Sequence, residues 1–120
     1  MIASQANEKL YCCLRCALKT QEGQVKIQDG IVIGKVGDRL LEADLFLPPI
    51  DAKERPAILF VHGGGWREGD RNQLRGYAIL LARLGFVTLS TSYRLSTEAV
   101  WPAQIQDINC ASVKNVEPLW

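Results

Sequence analysis

Ala57 to Val61 (AILFV) is a short, unbroken apolar run, and it ends directly in His62 and three consecutive glycines, Gly63, Gly64 and Gly65. A run of this kind suits a strand covered on both faces, as in the parallel sheets of α/β folds. Glycine loses more conformational freedom on ordering than any other residue. Three together are tolerated where the chain must turn sharply or bring its backbone close to another group. In open α/β sheets that place lies beyond the carboxyl ends of the strands, where ligands bind. The apolar run and the glycines together predict an α/β chain with a ligand-facing loop.

The flanking segments fit that frame. Residues 1–22 have no clear period and read as an N-terminal extension, a weak helix or a disordered lead. From Gln24 the character changes: "QVKIQ" alternates, and "IVIGKV" is β-branched and bounded by glycines. "RLLEADLFLP" sets Leu41, Ala43, Leu45 and Leu47 against Leu40, Glu42, Asp44 and Phe46. Gly37-Asp38 suits a two-residue hairpin turn, and Pro48-Pro49 ends the second strand because proline cannot donate to the ladder. After the glycines a helix is predicted over 72–84, with Leu74, Tyr77, Ala78 and Leu81 on its apolar stripe and Gly85 as its C′ residue. "FVTLSTSY" reads as another strand and 94–100 as loop. Pro102 then opens a helix with Ile105, Ile108 and Ala111 on one side. Hairpin, strand, helix, strand, helix is the order of a parallel α/β sheet with an antiparallel edge. The domain is expected over 23–112, with a divergent tail at 113–120.

Charge and cysteine usage narrow the partners. With 120 residues, 48% hydrophobic and 22% charged, the chain has the composition of one globular domain at most. A net charge of +1 gives no electrostatic reason to expect nucleic acid or an acidic membrane. No apolar run reaches membrane-spanning length. Arg15 and Lys19 interrupt "LYCCLRCAL", so no signal peptide is read and a cytoplasmic location is expected. Cys12, Cys13 and Cys16 include a C-x-x-C spacing, but a closed zinc site needs a second pair, which Cys110 and His62 supply only by an unusual convergence. Free thiols on an extension are the simpler reading, and a redox or metal module is the alternative. No metal and no cofactor are expected.

Two phosphate-binding patterns compete for the glycines and both fail. A dinucleotide fingerprint needs G-x-G-x-x-G and a P-loop needs G-x-x-x-x-G-K-[ST], whereas the chain reads G-G-G-W-R-E-G-D. The remaining mechanical reading is an oxyanion hole, in which loop N–H groups stabilise the negative oxygen of a tetrahedral acyl-transfer intermediate.

"VHGGGW", then "GD", then "LARLGFVTLSTSYRLSTEAVWPAQIQD", resembles the N-terminal half of an α/β-hydrolase-fold esterase. The likeness is to the HGGGW branch, which includes carboxylesterases, acetyl- and feruloyl-esterase-like and kynurenine formamidase-like enzymes, and it runs from about Gln24 to Ala111. The resemblance implies that Gly63 and Gly64, with Gly65, supply oxyanion N–H groups, that His62 braces the loop, and that Trp66 walls the acyl pocket. It implies that Asp70 helps fix the loop, that Tyr93 and Arg94 anchor the fourth strand, and that Trp101, Pro102 and Asp107 set the next helix on the sheet. Ser92 stands where many relatives carry aspartate. Plainer readings stand beside these: His62 as a structural histidine, Trp66 as core filler, Arg94 and Asp107 as a structural pair. Arg67, Arg71, Arg75 and Arg83 read as a solvated helical face.

The nucleophile elbow of that fold is G-x-S-x-G, followed in chain order by an acid and a histidine. The Gly-x-x-x-Gly frames here, Gly30–Gly34 and Gly65–Gly69, have Val32 and Arg67 at their centres, and no histidine follows His62. Ser90, Ser92 and Ser96 have no base in the expected order. The chain is therefore expected to be a fragment, a truncated product or a degenerate paralogue of an esterase, inactive alone. Small acyl esters are the substrates implied for the whole family fold. An alternative is a non-catalytic interaction protein. With no further strand beside it, Ala57–Val61 is expected to be an exposed apolar edge, prone to self-association or to a partner that completes the sheet.

Overall fold

The computed structural model describes residues 23–50 and 55–116. The N-terminal extension with Cys12, Cys13 and Cys16, and the last four residues, lie outside the described residues.

Four strands form one sheet in the order β1 (Lys26–Val36), β2 (Arg39–Leu47), β4 (Val87–Thr91), β3 (Ala57–Val61). β1 and β2 are an antiparallel hairpin, β2 and β4 pair antiparallel, and β3 and β4 pair parallel. The two expected segments of the first strand are one bulged strand, with register shifts between Gln28 and Ile31 and between Val32 and Gly34. Val36 pairs with Arg39 across the Gly37-Asp38 turn. Gly37 has φ +58 and Asp38 has no positive φ, the pattern of a type II′ turn, whose twist matches that of the strands.

The expected helix over 72–84 divides into a 3₁₀ turn (Arg71–Leu74) and α1 (Arg75–Arg83). It stops as predicted. Gly85, at φ +98, donates to Ala82 O and Phe86 N donates to Leu81 O, the paired bonds of a Schellman cap. Its buried stripe is Ala78 and Ala82, against Phe46. Tyr77, expected on that stripe, is exposed, because two alanines already bring the helix close to the sheet. α2 (Ala103–Val116) covers the other face, where Ala111 joins Ile33, Leu41, Ala43, Leu45, Val87 and Leu89. Its inward positions are Ala103, Gln104, Asp107 and Ala111. Ile105 faces outward and Ile108 is half-buried, so the inward stripe lies one step round from the one expected.

β4 is buried along its whole length. β3 is not: it forms an edge of the sheet, with Ala57 exposed and Ile58 to Val61 half-buried. No strand lies beyond it among the described residues.

The arginines after the glycine loop do not form one solvated face. Arg71 Nε lies 2.8 Å from Asp44 and its Nη1 3.1 Å from Glu42. Arg75 reaches Asp29 at 2.6 Å and Asp44 at 3.6 Å, and its guanidinium sits 5.3 Å from the centre of the Phe46 ring. Asp44 is buried and also accepts from Gly30 N. The even positions of β2, Asp44 and Phe46, thus point under α1, where a buried carboxylate needs cations. Arg67 and Arg83 remain exposed.

Candidate functional site at the carboxyl end of β3

β3 delivers the chain to His62 at the ligand-facing end of the sheet. His62 is 4% exposed. Its Nδ1 lies 3.0 Å from Gly63 O, and since a carbonyl only accepts, that nitrogen carries the proton. The imidazole stacks on Tyr93, rings 4.3 Å apart and 9° from parallel, and the Tyr93 hydroxyl donates to His62 O at 2.9 Å. Burial pushes the Tyr93 phenol above its ordinary pKa, which keeps it a donor. His62 is thereby held by its own loop and by the residue two past β4.

The turn that follows explains the glycines. Gly64 O accepts from Arg67 N and Glu68 N, at 3.1 and 3.2 Å. Gly64 has φ +131, and a Cβ there would lie 2.0 Å from Glu68 O. Gly69, at φ +103, would put a Cβ 2.4 Å from Gly63 O and 2.6 Å from His62 Nδ1. Sequence reasoning passed over Gly69; its signal was the "GD" pair three residues after Trp66. At Gly63 a Cβ would meet nothing within 4 Å. Among the described residues the N–H groups of Gly63, Gly64 and Gly65 have no acceptor, and Gly65 lines the cleft beside the loop. Asp70 accepts from Asn72 N at 2.7 Å and caps the 3₁₀ turn, fixing the loop's exit.

Beside the loop lies a cleft of about 460 Å³ lined by Gly65, Trp66, Arg67, Ser96, Trp101 and Gln104. Trp66 is 42% exposed, too open for core filler, and stands edge-on to Trp101 with ring centres 6.1 Å apart. It is also the single non-glycine residue with positive φ among the described residues, at +65. That conformation costs an L-residue roughly 1 kcal/mol. Ser96 N donates to Trp66 O at 2.7 Å, tying the 94–102 segment to the loop. Trp101 does not pack between helix and sheet as expected; it is 63% exposed and forms a wall of the cleft. Asp107, 2% exposed, does anchor the helix: it accepts from the N–H of Arg94 at 2.9 Å and from its guanidinium twice at 2.8 Å. These bonds hold the Arg94 guanidinium above its usual pKa. Gln104, part of the quoted WPAQ stretch but given no role there, is buried, donates to Ala99 O and leaves its Oε1 without a partner.

Among the described residues no three metal-ligating side chains cluster, and no helix is long and apolar enough to cross a membrane.

A four-stranded mixed sheet with a glycine loop at the end of a parallel strand, braced by a buried histidine, defines an α/β-hydrolase-type unit. The profile of the BD-FAE family matches residues 43–114, and the chain belongs to this family of α/β-hydrolase esterases. Similar proteins include esterase LipC of Mycobacterium tuberculosis (strain H37Rv), 43% identical over 61 residues, covering 49% of this chain and 15% of that protein. Arylacetamide deacetylase of Oryctolagus cuniculus is 40% identical over 58 residues, covering 45% of this chain and 14% of its own length. Among solved structures, esterase B of Lactobacillus rhamnosis matches with a TM-score of 0.62 at 29% identity, over 92% of this chain and 35% of that one. Thermogutta terrifontis esterase 2 matches with a TM-score of 0.62 at 26% identity, over 78% and 35%. The chain thus spans about a third of these solved esterases and a smaller part of the curated relatives.

Proposed function

We infer that the chain supplies the oxyanion-hole loop of a carboxylic ester hydrolase. The supporting observation is the set of unpartnered N–H groups at Gly63, Gly64 and Gly65, displayed by a turn that a Cβ at Gly64 or Gly69 would break. Donors fixed in this way stabilise an alkoxide as it forms, and removing one costs roughly 3 kcal/mol in transition-state stabilisation. Trp66 walls the acyl side, and His62 and Asp70 hold the loop's two ends.

Donors alone lower no barrier, because no tetrahedral intermediate forms without a nucleophile. These 120 residues contain no G-x-S-x-G and no histidine after His62. Serine, acid and base come from outside them, the substrate is a small-molecule acyl ester of the completed site, and the chain alone is inactive.

The test is a chimera in which Val61–Asp70 replaces the corresponding loop of Thermogutta terrifontis esterase 2. Hydrolysis of p-nitrophenyl acetate should survive the exchange. It should fall by about 10²–10³ on Gly64→Pro within it, with the melting temperature read alongside. A folded chimera without activity would overturn the assignment. Partner recognition through β3 is the second reading, favoured by that strand's position at the sheet edge.

A further inference from the structure

A loop that aims N–H groups has to be held at both limbs. His62, stacked on Tyr93 and bonded to it, holds the entering limb. The returning limb runs from Gly69 to Arg71 and lies directly against the entering one. A Cβ at Gly69 would stand 2.4 Å from Gly63 O and 2.6 Å from His62 Nδ1. Asp70 is extended, with φ −151 and ψ 175, so a displacement at Arg71 passes along the chain to Gly69. Arg71 itself is fixed to two strands. Its carbonyl accepts from Ser90 Oγ on β4 at 2.7 Å. Its guanidinium meets Asp44 and Glu42 on β2, at 2.8 and 3.1 Å. A planar guanidinium held by two carboxylates has a set direction that a compact ammonium lacks. Arg75 supplies the contrast: it shares Asp44 and adds Asp29, but it begins α1, beyond the 3₁₀ turn.

We propose that Arg71 is the positioning residue of the glycine loop. Clamped between β2 and β4, it sets how Gly69 lies on Gly63 and His62, and so where the Gly63–Gly65 N–H groups point. The inference rests on the donor-loop reading and names what aims those donors. Aim matters, because a working constellation has to be held within about 0.5 Å. A misplacement of about 1 Å, caused from a distance, costs on the order of 10²-fold in rate.

Nitrogen-15 NMR of the full chain tests this. Arg71→Gln should shift the amide signals of Gly63–Gly65 and Gly69. It should also move the His62 ring nitrogens from the Nδ1–H pattern toward an average of the two tautomers. Arg71→Lys keeps the charge and reaches one carboxylate, and it should restore part of each shift. Arg75→Gln breaks ion pairs on the same seam and should leave the loop signals in place. Loop signals unmoved in folded Arg71→Gln, or moved as far in Arg75→Gln, would overturn the proposal. Should Arg71→Gln not fold, Ser90→Ala decides. It changes no charge, so smaller shifts at the same amides support the clamp and unmoved signals overturn it. The donor-loop reading fails separately, on a folded chimera without activity.

Discussion

The three consecutive glycines are not equivalent. Gly64 is enforced by Glu68 O, Gly65 by its φ of +61, and Gly63 by neither. Thermal melts should therefore separate them. Gly64→Ala and Gly69→Ala should unfold the loop or cost several kcal/mol, since backbone and the His62 ring stand where the methyl must go. Gly63→Ala should stay within about 0.5 kcal/mol. Tyr93→Phe leaves the buried His62 carbonyl short of its donor and should cost about 1–3 kcal/mol. The HGGGW word was legible because it is contiguous. Gly69 and Gln104 lay inside quoted stretches, but their roles and that of Ser96 were not legible, because they depend on close approaches in space that no local pattern encodes.

Elements bring these residues together through polar seams. Asp44 on β2 faces both Arg71 and Arg75; in Asp44→Ala each arginine keeps its second carboxylate, Glu42 or Asp29, while the Gly30 N–H loses its acceptor, so the cost in chemical denaturation should be about 1–3 kcal/mol. Asp70→Ala removes the 3₁₀ cap and should cost about 1 kcal/mol. The 94–102 segment has its own pH dependence. The Glu98 carboxyl is held below its ordinary pKa by the Leu95 N–H and then by Arg39. Its contribution is complete above the unfolded value of 4.5 and is lost as pH falls through the folded one. The Leu95 amide should therefore lose exchange protection first in acid. Strand and helix order was readable from alternation and caps. The inward face of α2 was not, because Gln104 and Asp107 are buried by hydrogen bonds rather than by hydrophobicity.

At the scale of the whole molecule, the sheet is covered on both faces by helices and, among the described residues, is open along β3. A five-residue apolar edge with no charge or proline within it is a template for strand addition. Light scattering of the isolated chain should show concentration-dependent association, and Phe60→Lys should reduce it. A monodisperse species indifferent to that substitution would count against edge pairing. The fold class was legible because hairpin, apolar strand and capped helix each carry a local signature. The position of β3 followed only from the likeness to a larger fold. Gly63 has a further consequence. The empty space above its α-carbon means that evolution or a protein engineer can alter this mouth at one position without disturbing the turn, and diversity in the loop should enter there first.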